Sequence, residues 1–159
     1  MDETIATEEQ LDKPALLRRT ALFAELPDDE IQSLARQTRV AVYPAGDEII
    51  EEGADFDEEA DGMFVIISGA VEVRTGSTDG TDGRLLMKLG PGDFFGEMAL
   101  LDGKPRSASV FTLEESQCLV LHRWDFLREL RKSPAIAVQM LAVLSGRLRA
   151  MNEAAGRPE

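Results

Sequence analysis

Phe95-Gly96-Glu97-Met98-Ala99-Leu100-Leu101-Asp102-Gly103-Lys104-Pro105-Arg106-Ser107-Ala108 is the stretch from which the rest of this chain takes its meaning. It gathers a glycine, an apolar helical turn, a carboxylate and a guanidinium within fourteen residues. Arg106 offers a planar fork of N–H donors that matches the oxygens of an anion such as phosphate two at a time. Gly96 lets the backbone come closer to a ligand than a Cβ would allow. Glu97 to Leu101 reads as one short helical turn whose free N-terminal amides face an anion. Glu97 is out of place beside a phosphate, because like charges repel, unless its carboxylate accepts a hydrogen bond from a hydroxyl. For an isolated Glu and Arg nine residues apart, the competing reading is a structural ion pair between them, with Gly96 a plain turn.

Taken whole, with its apolar Met98-Ala99-Leu100-Leu101 and its Pro-Arg-Ser-Ala ending, the stretch resembles the phosphate-binding cassette of cyclic nucleotide-binding domains. That module is shared by catabolite activator proteins, protein kinase A regulatory subunits and cyclic nucleotide-gated channels. The resemblance implies that Glu97 accepts from the ribose 2′-OH and that Arg106 holds the cyclic phosphate. It further implies that Ser107 and the amides around Gly96, Ala99 and Ala108 complete the cradle, with Met98 inside the same ligand-binding set. The implied regulatory ligand is cAMP or cGMP. Ser107 is compatible with both, and cAMP is the mild preference.

The 159 residues, 43% of them apolar, suit one domain with a real core and not two of ordinary size. The net charge of −13 is unevenly placed: residues 1–60 hold 17 acids against 5 bases, and residues 61–159 hold 13 against 12. Such a balance repels the phosphate backbone that nucleic-acid binders neutralise with Lys and Arg, so no nucleic-acid partner is expected. The densest acidic cluster is Glu51, Glu52, Asp55, Asp57, Glu58, Glu59 and Asp61. It lacks the spacing and companions of a calcium loop and reads as a solvated loop, with no metal expected. Cys118, the one cysteine, lies in the apolar run Cys118-Leu119-Val120-Leu121 and reads as a buried small hydrophobe. No run approaches the roughly 18 apolar residues of a membrane span. Met1 to Gln10 carry four acids and no base, unlike a signal peptide. A cytoplasmic protein with no membrane partner is expected.

Residues 1–13 read as a disordered acidic N-terminus, 14–153 as a single domain and 154–159 as a tail. Leu16 to Phe23 look helical, up to the interruption at Leu26-Pro27. A second helix follows with Asp28, Asp29 and Glu30 in its first turn, where negative charge complements the dipole, and Ile31, Leu34 and Ala35 at helical spacing. Strands are expected at Val40–Tyr43, Glu48–Glu51, Met63–Ile67, Ala70–Arg74, Leu85–Leu89, Ser109–Thr112 and Gln117–His122, separated by glycine turns and by a polar hairpin tip from Thr75 to Gly83. Seven or eight such strands argue for a mainly β fold with flanking helices, a double-sheet jelly roll. The resemblance implies the same β-roll over roughly residues 15–150. Ala54 to Gly62 is longer and more acidic than the short turn the family usually has there.

Trp124 to Arg131 reads as a short helix, and Ser133-Pro134 as an N-cap followed by proline at the first helical position. The last helix carries Ile136, Met140, Val143, Leu144, Leu148 and Met151 along one face, a stripe suited to core packing, to a homodimer seam, or to both. In the family this helix often closes over the base, and Arg147, Arg149 and Asn152 are the candidates to do so here.

The chain ends ten residues past Arg149. A folded helix-turn-helix domain needs at least about 50 residues, so the expectation is a stand-alone ligand module. Jelly rolls also host cupin metalloenzymes, whose sites need several His and carboxylate ligands. The single histidine, His122, ends an apolar strand instead. No nucleophilic triad or phosphate loop is present, and hydrolysis of a cyclic nucleotide would need a metal-activated water. The expected function is therefore binding without turnover: a regulatory module whose terminal helices shift on ligand binding and signal to a separate effector protein. Two alternatives are a degenerate domain of the same fold acting as a protein-interaction module without nucleotide, and a small cupin-like metalloenzyme.

Overall fold

The structure, a computed structural model, describes residues 7–55, 62–76 and 83–156. A 3-10 turn, Glu8–Gln10, leads into α1 (Lys13–Arg18) and α2 (Asp28–Gln37). The roll follows: β1 (Arg39–Tyr43), β2 (Glu48–Ile50), β3 (Gly62–Ser68), β4 (Val71–Thr75), β5 (Arg84–Leu89) and β6 (Phe94–Phe95). After α3 (Glu97–Asp102) come β7 (Ser109–Thr112) and β8 (Ser116–His122), then α4 (Arg123–Lys132) and α5 (Pro134–Gly156).

The strands form two antiparallel four-stranded sheets, in the orders β1-β8-β3-β6 and β2-β7-β4-β5. In the first sheet, alternate residues serve two separate cores. Phe64, Ile66, Cys118, Val120 and Phe95 point between the sheets, where they meet Ile50, Val71 and Val110. Met63, Val65, Ile67, Leu119, Leu121 and Phe94 point the other way, against Leu17, Phe23, Ile31, Leu34, Phe126, Ile136 and Met140 of the helical layer. Because both faces are covered, β3 and β8 read as unbroken apolar runs even though the residues alternate in space. Cys118 is fully buried, and burial pushes its thiol up to about 12.

The strands fall where the sequence places them, with β6 as an addition: its two residues pair with Phe64 and Val65. The first helix differs from expectation. It ends at Arg18, and the chain from Arg19 to Leu26 runs in turns closed by hydrogen bonds such as Phe23 N–H to Thr20 O at 3.2 Å. The Arg18 guanidinium holds this irregular segment by donating to Ala24 O, Leu26 O and Asp28 Oδ1, and the turns drive Leu22, Phe23 and Leu26 into the core. α5 starts at Pro134 as expected, and only the first part of its stripe is core: Ile136 and Met140 are buried, Val143 and Leu144 pack partly, and Leu148 is exposed. Asp57, Glu58, Glu59 and Asp61 of the acidic loop, most of the β4–β5 hairpin tip, and residues 1–6 and 157–159 lie outside the described residues.

Candidate functional site

β6 delivers the chain to Gly96, which turns it into α3 with φ +86° and ψ 4°. That left-handed conformation is costly for any residue with a side chain. Space is tight as well: a Cβ there would lie 3.2 Å from Gly62 O and 3.3 Å from both Ile50 Cδ1 and Phe64 Cδ1, so these neighbours would have to give by a few tenths of an ångström. Gly96 thus caps a six-residue helix whose first-turn N–H groups have no intrahelical acceptor.

Glu97 is the first residue of that helix and is 4% exposed; Arg106, beyond the α3–β7 connection, is 7% exposed. The Arg106 side chain reaches back to the cassette: Nη1 donates to Gly96 O at 2.8 Å and Nη2 to Gly62 O at 3.3 Å. Its main chain is fixed on both sides, since its N–H donates to Ala54 O at 2.9 Å and its C=O accepts from Gly53 N–H at 2.8 Å. The loop after β2 and the end of the cassette are therefore one unit, and it places a guanidinium against the N-terminus of α3.

Burial pushes the Glu97 carboxyl above the ordinary carboxylate range; its own backbone N–H, then Arg147, then Arg106 pull the other way without cancelling the effect. The ion pair seen at Glu97 is with Arg147 of α5, whose Nη1 lies 3.6 Å from Oε1. Arg147 Nη2 also donates to Phe94 O at 2.5 Å, and the guanidinium sits 4.5 Å from the centre of the Phe94 ring. Of the three candidates on the last helix, Arg147 is the one docked at the cassette, while Arg149 and Asn152 are exposed. One turn further along α5, Met151 and Ala154 line a small cavity together with Arg84, Leu85 and Leu86 of β5.

The other sequence-predicted residues surround the anchors. Ala99 is buried in the first turn of α3. Met98 and Ser107 lie at the exposed rim, with Ser107 Oγ 3.9 Å from Met98 Sδ. Ala108 is half-buried just before β7. One contact has no signal in the sequence: Arg123, the first residue of α4, donates from Nε to Leu100 O of α3 at 2.9 Å. Among the described residues, no group of three or more His, Cys, Asp or Glu side chains could hold a metal ion, and no helix is long and apolar enough to cross a membrane.

The arrangement converges a buried carboxylate, a fixed guanidinium and open helix amides on one spot, and the cyclic nucleotide-binding domain family model matches residues 40–133, which include all of it. This chain belongs to that family. It is 34% identical over 138 residues to the CRP-like cAMP-activated global transcriptional regulator of Mycobacterium tuberculosis, covering 86% of this chain and 59% of that protein. Among solved structures, the catabolite activator protein of Thermus thermophilus matches with a TM-score of 0.70 at 33% identity, over 85% of this chain and 61% of that one. A cAMP-bound PfPKA-R fragment matches with a TM-score of 0.74 at 25% identity, over 89% and 46%. The chain thus spans less than two thirds of the length of each. The eight-stranded roll with flanking helices is the fold of cyclic nucleotide-binding domains.

Proposed function

We propose that this domain binds a cyclic purine mononucleotide, cAMP in preference to cGMP, as a regulatory ligand that it does not hydrolyse. The observation that carries the reading is that two buried residues of opposite charge flank the N-terminus of α3: Glu97 begins the helix, and Arg106 reaches back to Gly96 O just before it. A cyclic phosphate is a small monoanion, suited to a rigid fork of donors plus backbone amides. Glu97 takes the ribose 2′-OH, a neutral donor that a buried carboxylate accepts well. Gly96, Ala99, Ser107 and Ala108 line the phosphate, and Met98 covers its rim. The cavity between β5 and α5 receives the base, since Met151 lies one turn beyond Arg147 on the same helix face.

Arg147 supports the signalling part of the proposal. It ties α5 to Glu97 and to Phe94 O, so a ribose hydroxyl arriving at Glu97 changes what holds α5 to the roll. A ligand shifts such an equilibrium only by its differential affinity for the two arrangements, and this contact supplies one. The output passes to a separate effector. Self-association through α5 belongs to the same proposal, because Val138, Leu141 and Leu148 form a stripe of apolar residues more than half exposed on its outer side.

Titration calorimetry with cAMP and its 2′-deoxy analogue tests the assignments one at a time. Arg106→Ala should weaken cAMP by about 1.5–3 kcal/mol, the range for a charge-assisted hydrogen bond. Wild type should prefer cAMP to 2′-deoxy-cAMP, and Glu97→Ala should lose that preference. An Arg106→Ala variant that binds as tightly as wild type would remove the phosphate assignment, and a Glu97→Ala variant with the wild-type preference would remove the ribose one.

A further inference from the structure

Arg123 opens α4, where the positive end of the helix dipole makes a cation unfavourable. Its side chain serves a different helix. Nε donates to Leu100 O at 2.9 Å, and a Cβ added to Gly103 would lie 3.4 Å from Nη2. Gly103 is the left-handed C-cap of α3, with φ +70° and its N–H donating to Ala99 O at 2.7 Å. The end of a helix has carbonyls without intrahelical donors and the negative pole of the dipole, so a donor that is also a cation meets both needs. The same guanidinium lies 5.2 Å from the ring centre of Trp124, which is about half exposed.

α3 has six residues, far below the length at which a helix is stable by itself. It depends on what holds its ends. Arg106 holds the start through Gly96 O, from within the cassette. Arg123 holds the finish through Leu100 O, from α4. Glu97 and the first-turn amides ride on the segment between the two.

We propose that Arg123 is a positioning residue for nucleotide binding: without touching the ligand, it fixes the C-terminal end of α3 and so sets the position of Glu97 and the phosphate-facing amides. The inference rests on the nucleotide reading given above. It also makes α4 a second mechanical link between the cassette and the C-terminal helices, on the opposite end of α3 from Arg147.

Two substitutions separate the hydrogen bond from the mere presence of a long side chain. In Arg123→Gln, the amide nitrogen stands as many bonds from Cα as Arg Nε and retains a donor for Leu100 O. Arg123→Met keeps the apolar stem and has no donor. Amide hydrogen exchange on ligand-free protein, combined with cAMP titration, gives independent readouts. Arg123→Met should speed exchange in residues 97–103 while the β-roll stays as protected as in wild type, and should weaken cAMP by about three- to tenfold. Arg123→Gln should restore most of both. Unchanged exchange and unchanged affinity in Arg123→Met overturn the inference. So does faster exchange spread over the whole chain with no rescue by Arg123→Gln, because that pattern belongs to a general packing role. If wild type binds no cyclic nucleotide, the nucleotide reading itself fails and takes the binding role of Arg123 with it, whereas the loss of Arg123 alone is recognised by intact wild-type binding.

Discussion

At the scale of single residues, Gly96 and Glu97 carry opposite kinds of constraint. Gly96 is fixed by backbone conformation and by three atoms within 3.3 Å of any added Cβ. Gly96→Ala should therefore destabilise the ligand-free fold by about 1–3 kcal/mol, read from urea unfolding; a change below a few tenths would mean the turn relaxes freely. Glu97 is held against its own preference, since burial raises its pKa. An acid with a raised folded-state pKa binds its proton more tightly when folded, so its contribution to stability falls as pH rises through and above the ordinary carboxylate range. Glu97→Gln removes that loss. Ligand-free Glu97→Gln should gain stability relative to wild type as pH is raised from 4 to 7, while binding cAMP less well. A gap that closes or reverses over that interval would contradict the burial argument. On the proposed function, the carboxylate is then a feature retained for ligand binding at the expense of stability.

At the scale of elements, what was legible in the sequence follows from how local each signal is. Short runs punctuated by glycine turns give β1, β4 and β7 directly, and the apolar runs give β3 and β8, although their double-sided burial is visible only once the second sheet and the helical layer are in place. β6 has two residues, too few for any period, and straddles the start of the cassette. Leu16 to Phe23 look helical in sequence, yet α1 stops at Arg18, whose guanidinium bonds six to ten residues ahead and stabilises turns instead. Within the site, the cassette could be read residue by residue because it is contiguous. Choosing Arg147 over Arg149 and Asn152 required the rotation of α5 against the roll, and the Arg123–Leu100 contact joins residues 23 apart in sequence.

α4 holds another feature invisible in the sequence. Glu129 is fully buried, neither carboxylate oxygen has a hydrogen-bond partner among the described residues, and Lys132 Nζ stands 3.6 Å away with its own side chain half exposed. Such a group costs more in desolvation than a single loose ion pair returns. Glu129→Met should raise stability by about 1–3 kcal/mol in thermal or urea unfolding. A destabilised variant would show that Glu129 has a compensating role.

At the scale of the whole molecule, two surfaces of α5 do different work. The inner one, through Ile136, Met140 and Arg147, closes on the roll and the cassette. The outer one presents Val138, Leu141 and Leu148, spaced three and seven residues apart as in a helix–helix seam. The doubly substituted Leu141→Glu, Leu148→Glu chain should sediment as a monomer with an unchanged circular dichroism spectrum, while wild type self-associates at about 100 µM. A wild type that stays monomeric at that concentration rules the seam out. The net charge of −13 bears on the same scale, since any ligand that is itself an anion must be drawn in by a local constellation and not by the overall field. In the proposed site, Arg106, the α3 amides and Arg147 would form that constellation.

The central claim is that this constellation holds a cyclic nucleotide, and titration calorimetry of the wild-type chain with cAMP tests it most directly. The account predicts one nucleotide bound per chain, with micromolar or tighter affinity. No heat and no saturation with either cAMP or cGMP would contradict it.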